Sequence, residues 1–304
     1  MTRIMTITSG LAQVGKTHLA INLALELVRR GHFAGVFHDP GQTAAVDGLL
    51  DLIRPAMPQR RAADDAGYTI NRRGYQGLDV LSCEIPVREW ADLDAEQRAR
   101  CTGNLDIPDG YDDFLIDTSG MDAHALLACC KAAAVVILLV TPEPRSQSES
   151  FALLRVLQLN GFSGELYLVV NKSSYPDDSQ EIYNDFSRLV KDRLGLGICF
   201  LGVVPEDRRV ETSQQHRQAF SALCPDSQSA RAVYAMVDAL QGIPAVDIDG
   251  LQTLPAFLDA LLAVLQAPVC LPGGAVLEEI PGAVLQADKA LPEAGEGEDG
   301  LTNG

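Results

Sequence analysis

A chain of 304 residues with 47% hydrophobic residues is long enough for one large domain or two ordinary ones, and apolar enough to bury a core. Its formal net charge of −17 argues against a nucleic-acid-binding surface, which needs clustered Lys and Arg, and against electrostatic attachment to anionic lipid. No apolar run reaches the roughly 18 residues of a membrane span. The N-terminus lacks the basic, apolar and cleavage regions of a signal peptide, so a cytoplasmic protein is expected.

In chain order, Arg3–Thr8 reads as a strand and runs into Gly10-Leu11-Ala12-Gln13-Val14-Gly15-Lys16-Thr17, which fits the phosphate-binding pattern G-x-x-x-x-G-K-[ST]. A helix is expected to follow at 16–30. Strand, glycine loop and helix together are the context that confirms a P-loop: loop N–H groups and the helix dipole cradle phosphates, Lys16 reaches the β- and γ-phosphates, and Thr17 ligates Mg²⁺. Further strands are expected at 33–38, 78–82, 113–117, 133–140, 165–170 and 198–203. Helices are expected at 44–52, 88–100, 123–130, 147–159, 179–194, 209–216 and 227–240. Continuous apolar runs such as Ala134-Val135-Val136-Ile137-Leu138-Leu139-Val140 suit strands covered on both faces. The alternation predicts an α/β fold, a doubly wound and mostly parallel sheet flanked by helices.

Segment 54–73 is the least regular part of this domain and reads as a solvated surface excursion or a mobile loop. Residues 1–243 are read as one domain and 244–304 as a C-terminal extension. Within the extension, leucines at 251, 254, 258, 261 and 265 mark an amphipathic helix at 251–266, and the end is an acidic tail with the composition of a disordered segment. Asp259 is the only charge in that helix, which suits packing against the domain or a protein partner better than an anionic bilayer.

Two further acids fall at carboxyl ends of predicted strands. Asp117, before Thr118-Ser119-Gly120, stands at a Walker B position for the Mg²⁺ shell, or caps a helix. Asp39, in His38-Asp39-Pro40-Gly41, is placed to position the attacking water, or forms the Asp-Pro-Gly turn; His38 beside it reads as a sheet residue. The seven cysteines (Cys83, Cys101, Cys129, Cys130, Cys199, Cys224, Cys270) are odd in number, lack C-x-x-C spacing, and are expected to be buried thiols.

From Met1 to about Leu240 these motifs, with Thr141-Pro142-Glu143-Pro144, Val169-Val170-Asn171-Lys172, Leu201-Gly202-Val203-Val204-Pro205-Glu206-Asp207 and Pro225-Asp226-Ser227-Gln228-Ser229-Ala230, resemble the MinD/ParA class of P-loop ATPases, most of all MinD and the flagellar-number regulators FlhG/FleN. The resemblance implies ATP and Mg²⁺ as cofactors and a nucleotide-dependent homodimer that recruits a protein partner. It implies catalytic roles for Lys16 and Asp39. Nucleotide contacts fall on Gly10, Val14, Gly15, Lys16, Thr17, His18, Asn171, Pro205, Glu206 and Asp207, and metal ligation on Thr17 and Asp117. The chain departs from the family's K-G-G-x-G-K-[ST] pattern. Leu11 replaces the first Lys, which in the family reaches the partner's nucleotide, Ala12 and Gln13 replace the two glycines, and His18 replaces the second Thr. Leu11 carries no charge for a transition state, so hydrolysis is expected to be weak or dependent on a partner. Two other readings stand beside the positioning or number regulator: a degenerate scaffold that works through its surface and C-terminal helix, and a metallocofactor-maturation ATPase, toward which only Asp39-Pro40 points.

Overall fold

The computed structural model describes residues 2–50, 70–83, 85–94, 96–97, 110–243, 254–273 and 276–277. Its centre is an eight-stranded sheet of β1 (Arg3–Thr8), β2 (Ala34–His38), β3 (Ile70–Tyr75), β4 (Leu78–Cys83), β5 (Asp113–Asp117), β6 (Val135–Val140), β7 (Glu165–Ser173) and β8 (Cys199–Pro205). The strand order is β3-β4-β2-β5-β1-β6-β7-β8. Only the β3–β4 pair is antiparallel. Every residue of β1, β2, β5 and β6 is buried, as strands covered on both faces require. Register places Ile7 beside Asp117 and His38 beside Asp117, so the carboxyl ends of β1, β2 and β5 share one edge, where ligands bind in open α/β sheets.

The helices are α1 (Lys16–Arg29), α2 (Thr43–Leu50), α3 (Ala123–Ala132), α4 (Pro144–Leu159), α5 (Pro176–Leu194), α6 (Arg208–Gln215), α7 (Phe220–Leu223), α8 (Gln228–Gln241) and α9 (Leu254–Leu265), with a short hairpin of β9 (Val269–Cys270) and β10 (Val276–Leu277). Leu19, Leu23 and Leu27 of α1 join Val233, Met236 and Val237 of α8 in one apolar core. α4 and α5 pack with β6, β7 and β8 in another. In the third, Phe257, Leu258, Leu261, Leu262 and Leu265 of α9 lie with Ala125, Ala128, Cys129 and Ala132 of α3 and with Val87 and Trp90 of a 3-10 helix at Val87–Asp92. The amphipathic face expected near the C-terminus is thus turned onto its own domain. Among the described residues, no helix is long and apolar enough to cross a membrane.

Three expectations change. The segment read as an irregular excursion ends in β3, whose arginines conceal an edge strand. Arg73 pairs with Asp47 and Arg72 with Asp79, and Gln76 and Gly77, both at positive φ, form the two-residue hairpin turn to β4. The helix expected at 88–100 is broken in two: Val87–Asp92 form a 3-10 turn, Leu93 is extended, and α-helix is found again at 96–97, where Asp94 and Gln97 exchange backbone-to-side-chain hydrogen bonds of 2.8 Å; 98–100 lie outside the described residues. Of the cysteines, Cys83, Cys129 and Cys130 are buried but Cys199 and Cys270 are exposed. Burial pushes the Cys130 thiol up to about 12 and the Cys129 thiol well above its ordinary value, so neither is a nucleophile at neutral pH. Cys101, most of segment 54–73 and the acidic tail lie outside the described residues.

Candidate functional site

The loop from Gly10 to Gly15 joins β1 to α1. Gly15 is the residue before the helix and has φ +100, a conformation that glycine adopts without cost. A side chain at Gly15 would strike the Asn171 amide, and one at Gly10 would strike the backbone of α4 at Glu149 and Ser150. The loop is therefore fixed from both sides: the Gly10 N–H donates to Ser150 Oγ at 3.2 Å, and Asn171 Nδ2 donates to the Val14 carbonyl at 2.6 Å. A bulge in β7 isolates Lys172 at φ +57 between Asn171 and Ser173, and its ammonium donates to the Gln13 carbonyl at 3.0 Å. Gln13 itself has φ 60, strain that a glycine at that position would avoid. Leu11 is half-buried and packs against the α1 core, so the loop is anchored by an apolar contact at that position.

Lys16 is buried and donates to the Leu11 carbonyl at 3.3 Å. Burial holds its pKa below the ordinary lysine value, with Asp117 pulling the other way, so an anion beside it would relieve a costly buried charge. Thr17 Oγ1 donates to Asp117 Oδ2 at 2.6 Å and lies 3.1 Å from Ser119 Oγ, while Asp117 Oδ1 accepts the Ser119 N–H at 3.0 Å. Asp117 is 0% exposed. It joins the P-loop to the loop after β5 and caps no helix. That role falls to Asp122, which accepts the Ala125 N–H at the start of α3. Gly120, at φ +75 in the same loop, leaves no room for a Cβ because Gln42 presses on it.

Asp39 sits at the same sheet edge, but both its carboxylate oxygens are engaged by backbone. Oδ1 accepts the Gly41 N–H at 3.1 Å as the cap of the 3-10 turn Pro40–Gln42, and Oδ2 accepts the Val87 N–H at 3.1 Å. His38, 0% exposed, is a sheet residue whose Nδ1 contacts the Asp39 carbonyl at 3.0 Å. On the far side, Pro205 ends β8. Glu206 Oε2 accepts from Ser174 Oγ at 3.2 Å, and Asp207 caps α6 by accepting the Arg209 N–H at 2.9 Å. Sequence reading missed Ser119, Ser150, Lys172 and Gln214 as parts of this site. Lys172 and Ser119 left a signal, the one its place beside Asn171 and the other its place in the loop after Asp117.

The residues present suit a magnesium nucleotide. A glycine-shaped cradle, a buried lysine short of countercharge and a Thr17–Asp117–Ser119 oxygen cluster occupy one helix N-terminus. Among the described residues, no group of three His, Cys, Asp or Glu could hold a metal by itself, whereas Mg²⁺ needs only one or two protein oxygens besides phosphate and water.

No family model matches the chain. It is 24% identical over 248 residues to the antiactivator FleN of Pseudomonas aeruginosa, covering 80% of this chain and 87% of that one. It is 20% identical over 245 residues to the flagellum site-determining protein YlxH of Helicobacter pylori, covering 76% and 79%. Its fold matches that of the septum site-determining protein MinD of Pyrococcus horikoshii, solved with Mg-ADP, at a TM-score of 0.57 and 18% identity over 80% of this chain and 97% of that one. With the P-loop, the oxygen cluster behind it and the strand order all in place, the chain has the fold of MinD and is similar in sequence to FleN and YlxH.

Proposed function

We propose that this chain binds ATP with Mg²⁺ at the P-loop and regulates the number or position of a large assembly, such as flagella or the division site, as a nucleotide-dependent homodimer that engages a protein partner. The observation that carries this reading is the preassembled cluster at the P-loop helix, where Thr17, Asp117 and Ser119 share one set of hydrogen bonds and the buried Lys16 donates to the P-loop carbonyl of Leu11. In this reading Gly10, Val14, Gly15 and Lys16 hold the phosphates, and Thr17 and Asp117 hold the metal. Asn171 with Pro205, Glu206 and Asp207 borders the base. Mg²⁺, when bound, supplies charge neutralisation at the β- and γ-phosphates. A cytoplasmic location accords with this role.

Hydrolysis in this reading is slow or partner-dependent, because Leu11 offers an apolar anchor where the family it resembles has a cation. Asp39 is tied by two backbone N–H groups to its turn and to Val87, and each of its oxygens keeps a lone pair for a water. The Leu11 observation equally favours the second reading, a scaffold that binds nucleotide without turning it over. Leu11→Lys separates them. The switch reading expects ATP turnover to rise by about tenfold or more as a preorganised cation is restored, measured as phosphate release. Unchanged turnover with intact Mg·ATP binding favours the scaffold.

A further inference from the structure

Two neighbouring peptides of the P-loop are held by two neighbouring residues of β7. Asn171 Nδ2 donates to the Val14 carbonyl at 2.6 Å, and Lys172 Nζ donates to the Gln13 carbonyl at 3.0 Å. A trans peptide is planar, and its C=O and N–H point opposite ways. With both carbonyls drawn toward β7, the N–H groups of Val14 and Gly15 are turned to the opposite side of the loop. Neither of them donates to a backbone acceptor among the described residues. Successive N–H groups left open in this way make an anion-binding concavity.

The two peptides are not equally secure. Val14 has a second anchor, because its side chain is buried in the core between α1 and α8. Gln13 is exposed, and its φ of 60 is one that a glycine reaches freely and a glutamine leaves unless something holds it. Among the described residues, that hold on its carbonyl comes from Lys172. The lysine is aimed for the task. The bulge takes it out of the ladder, since Asn171 pairs with Val204 and Ser173 with Pro205, and sets it at φ 57. Its own N–H donates to Asn171 Oδ1 at 2.9 Å, so the two clamping residues fix each other. The His18 ring, on which the Lys172 charge acts, is engaged elsewhere, 2.8 Å from the Gln214 amide nitrogen of α6, and takes no part in the clamp.

We propose that Lys172 is a positioning residue for phosphate binding: by gripping the Gln13 carbonyl it keeps the Val14 N–H turned toward the phosphates, and so holds from outside the loop a conformation that glycine would reach unaided. The inference rests on the nucleotide reading above. Lys172 touches no phosphate in this account. It acts through one peptide plane, and it matters because Gln13 stands where a glycine would need no clamp.

A double-mutant cycle separates positioning from direct contact. Mg·ADP affinity is measured by titration calorimetry on the full chain, with thermal midpoints confirming that each variant folds. Lys172→Met keeps an unbranched stem and removes the donor; it is expected to weaken binding by about fivefold or more, the worth of a hydrogen bond from a charged group. Lys172→Arg keeps a donor and should stay within about twofold of the wild type. In a Gln13→Gly chain, where positive φ carries no cost, Lys172→Met should weaken binding by about twofold or less. The same fivefold loss in both chains overturns the proposal in favour of an ammonium that contacts the nucleotide itself. A loss in Lys172→Arg equal to that in Lys172→Met, or no loss in Lys172→Met, overturns it outright. A wild-type protein that binds no Mg·ADP overturns the nucleotide reading and this inference with it, a distinct result.

Discussion

Asp117→Ala will abolish the dependence of nucleotide affinity on magnesium. In the wild type, affinity for ATP is expected to rise by about tenfold or more when Mg²⁺ replaces a chelator, because in the proposed reading Thr17 and Asp117 would hold the metal, which would neutralise phosphate charge. Asp117 is fully buried, and its two oxygens bind Thr17 and Ser119 at 2.6 and 3.0 Å. The variant leaves both donors without their acceptor, a cost of about 1–3 kcal/mol to the fold. It also removes the carboxylate that supports the charge of Lys16. Titration with ATP, with and without Mg²⁺, should give two separated curves for the wild type and one curve for the variant. A variant that keeps the wild-type separation would place the metal elsewhere.

Leu261→Asp will destabilise the whole chain rather than free an idle helix. Leu261 is 1% exposed and sits at the centre of the α9 face that covers α3 and the 3-10 turn. Even the milder Leu261→Ala should cost about 2–5 kcal/mol, the range for deleting a buried leucine. In a domain of this size each kcal/mol lowers the melting midpoint by about 2–4 °C, so Ala should shift it by about 4–20 °C. Asp adds a buried charge and exceeds that. Ala263 on the same helix is exposed, and Ala263→Asp is the matched control that should leave the midpoint in place. A Leu261→Asp protein that melts with the wild type would mean that α9 is not part of the folded core and is kept for another surface. The 3-10 turn under α9 donates the Val87 N–H to Asp39, and α3 begins at Asp122, just beyond the Asp117 loop. α9 therefore braces two segments that border the nucleotide site.

The sheet was legible because its strands are buried on both faces and so spell continuous apolar runs; β5 was expected at 113–117 and is found at Asp113–Asp117. β3 escaped because an edge strand carrying Arg72 and Arg73 lacks that pattern, and only the Gln76-Gly77 turn announces it. The P-loop was legible because it is a contiguous motif with a strand before it and a helix after. Its supports were not: Ser150 and Gln214 lie 140 and 196 residues from the atoms they contact, and no local pattern encodes a contact of that separation. Asp39 shows the converse. Sequence offered a turn former or a water-positioning acid. The geometry displays the turn cap together with a hydrogen bond from Val87, 48 residues away.

In the proposed reading this chain is a nucleotide-responsive switch despite Leu11. The most direct test is its mass in solution, without nucleotide and with Mg·ATP, with phosphate release followed in the same samples. A monomer that becomes a dimer only with Mg·ATP, with slow phosphate release, is the predicted result. A mass that is the same in both conditions, with no turnover, would contradict it.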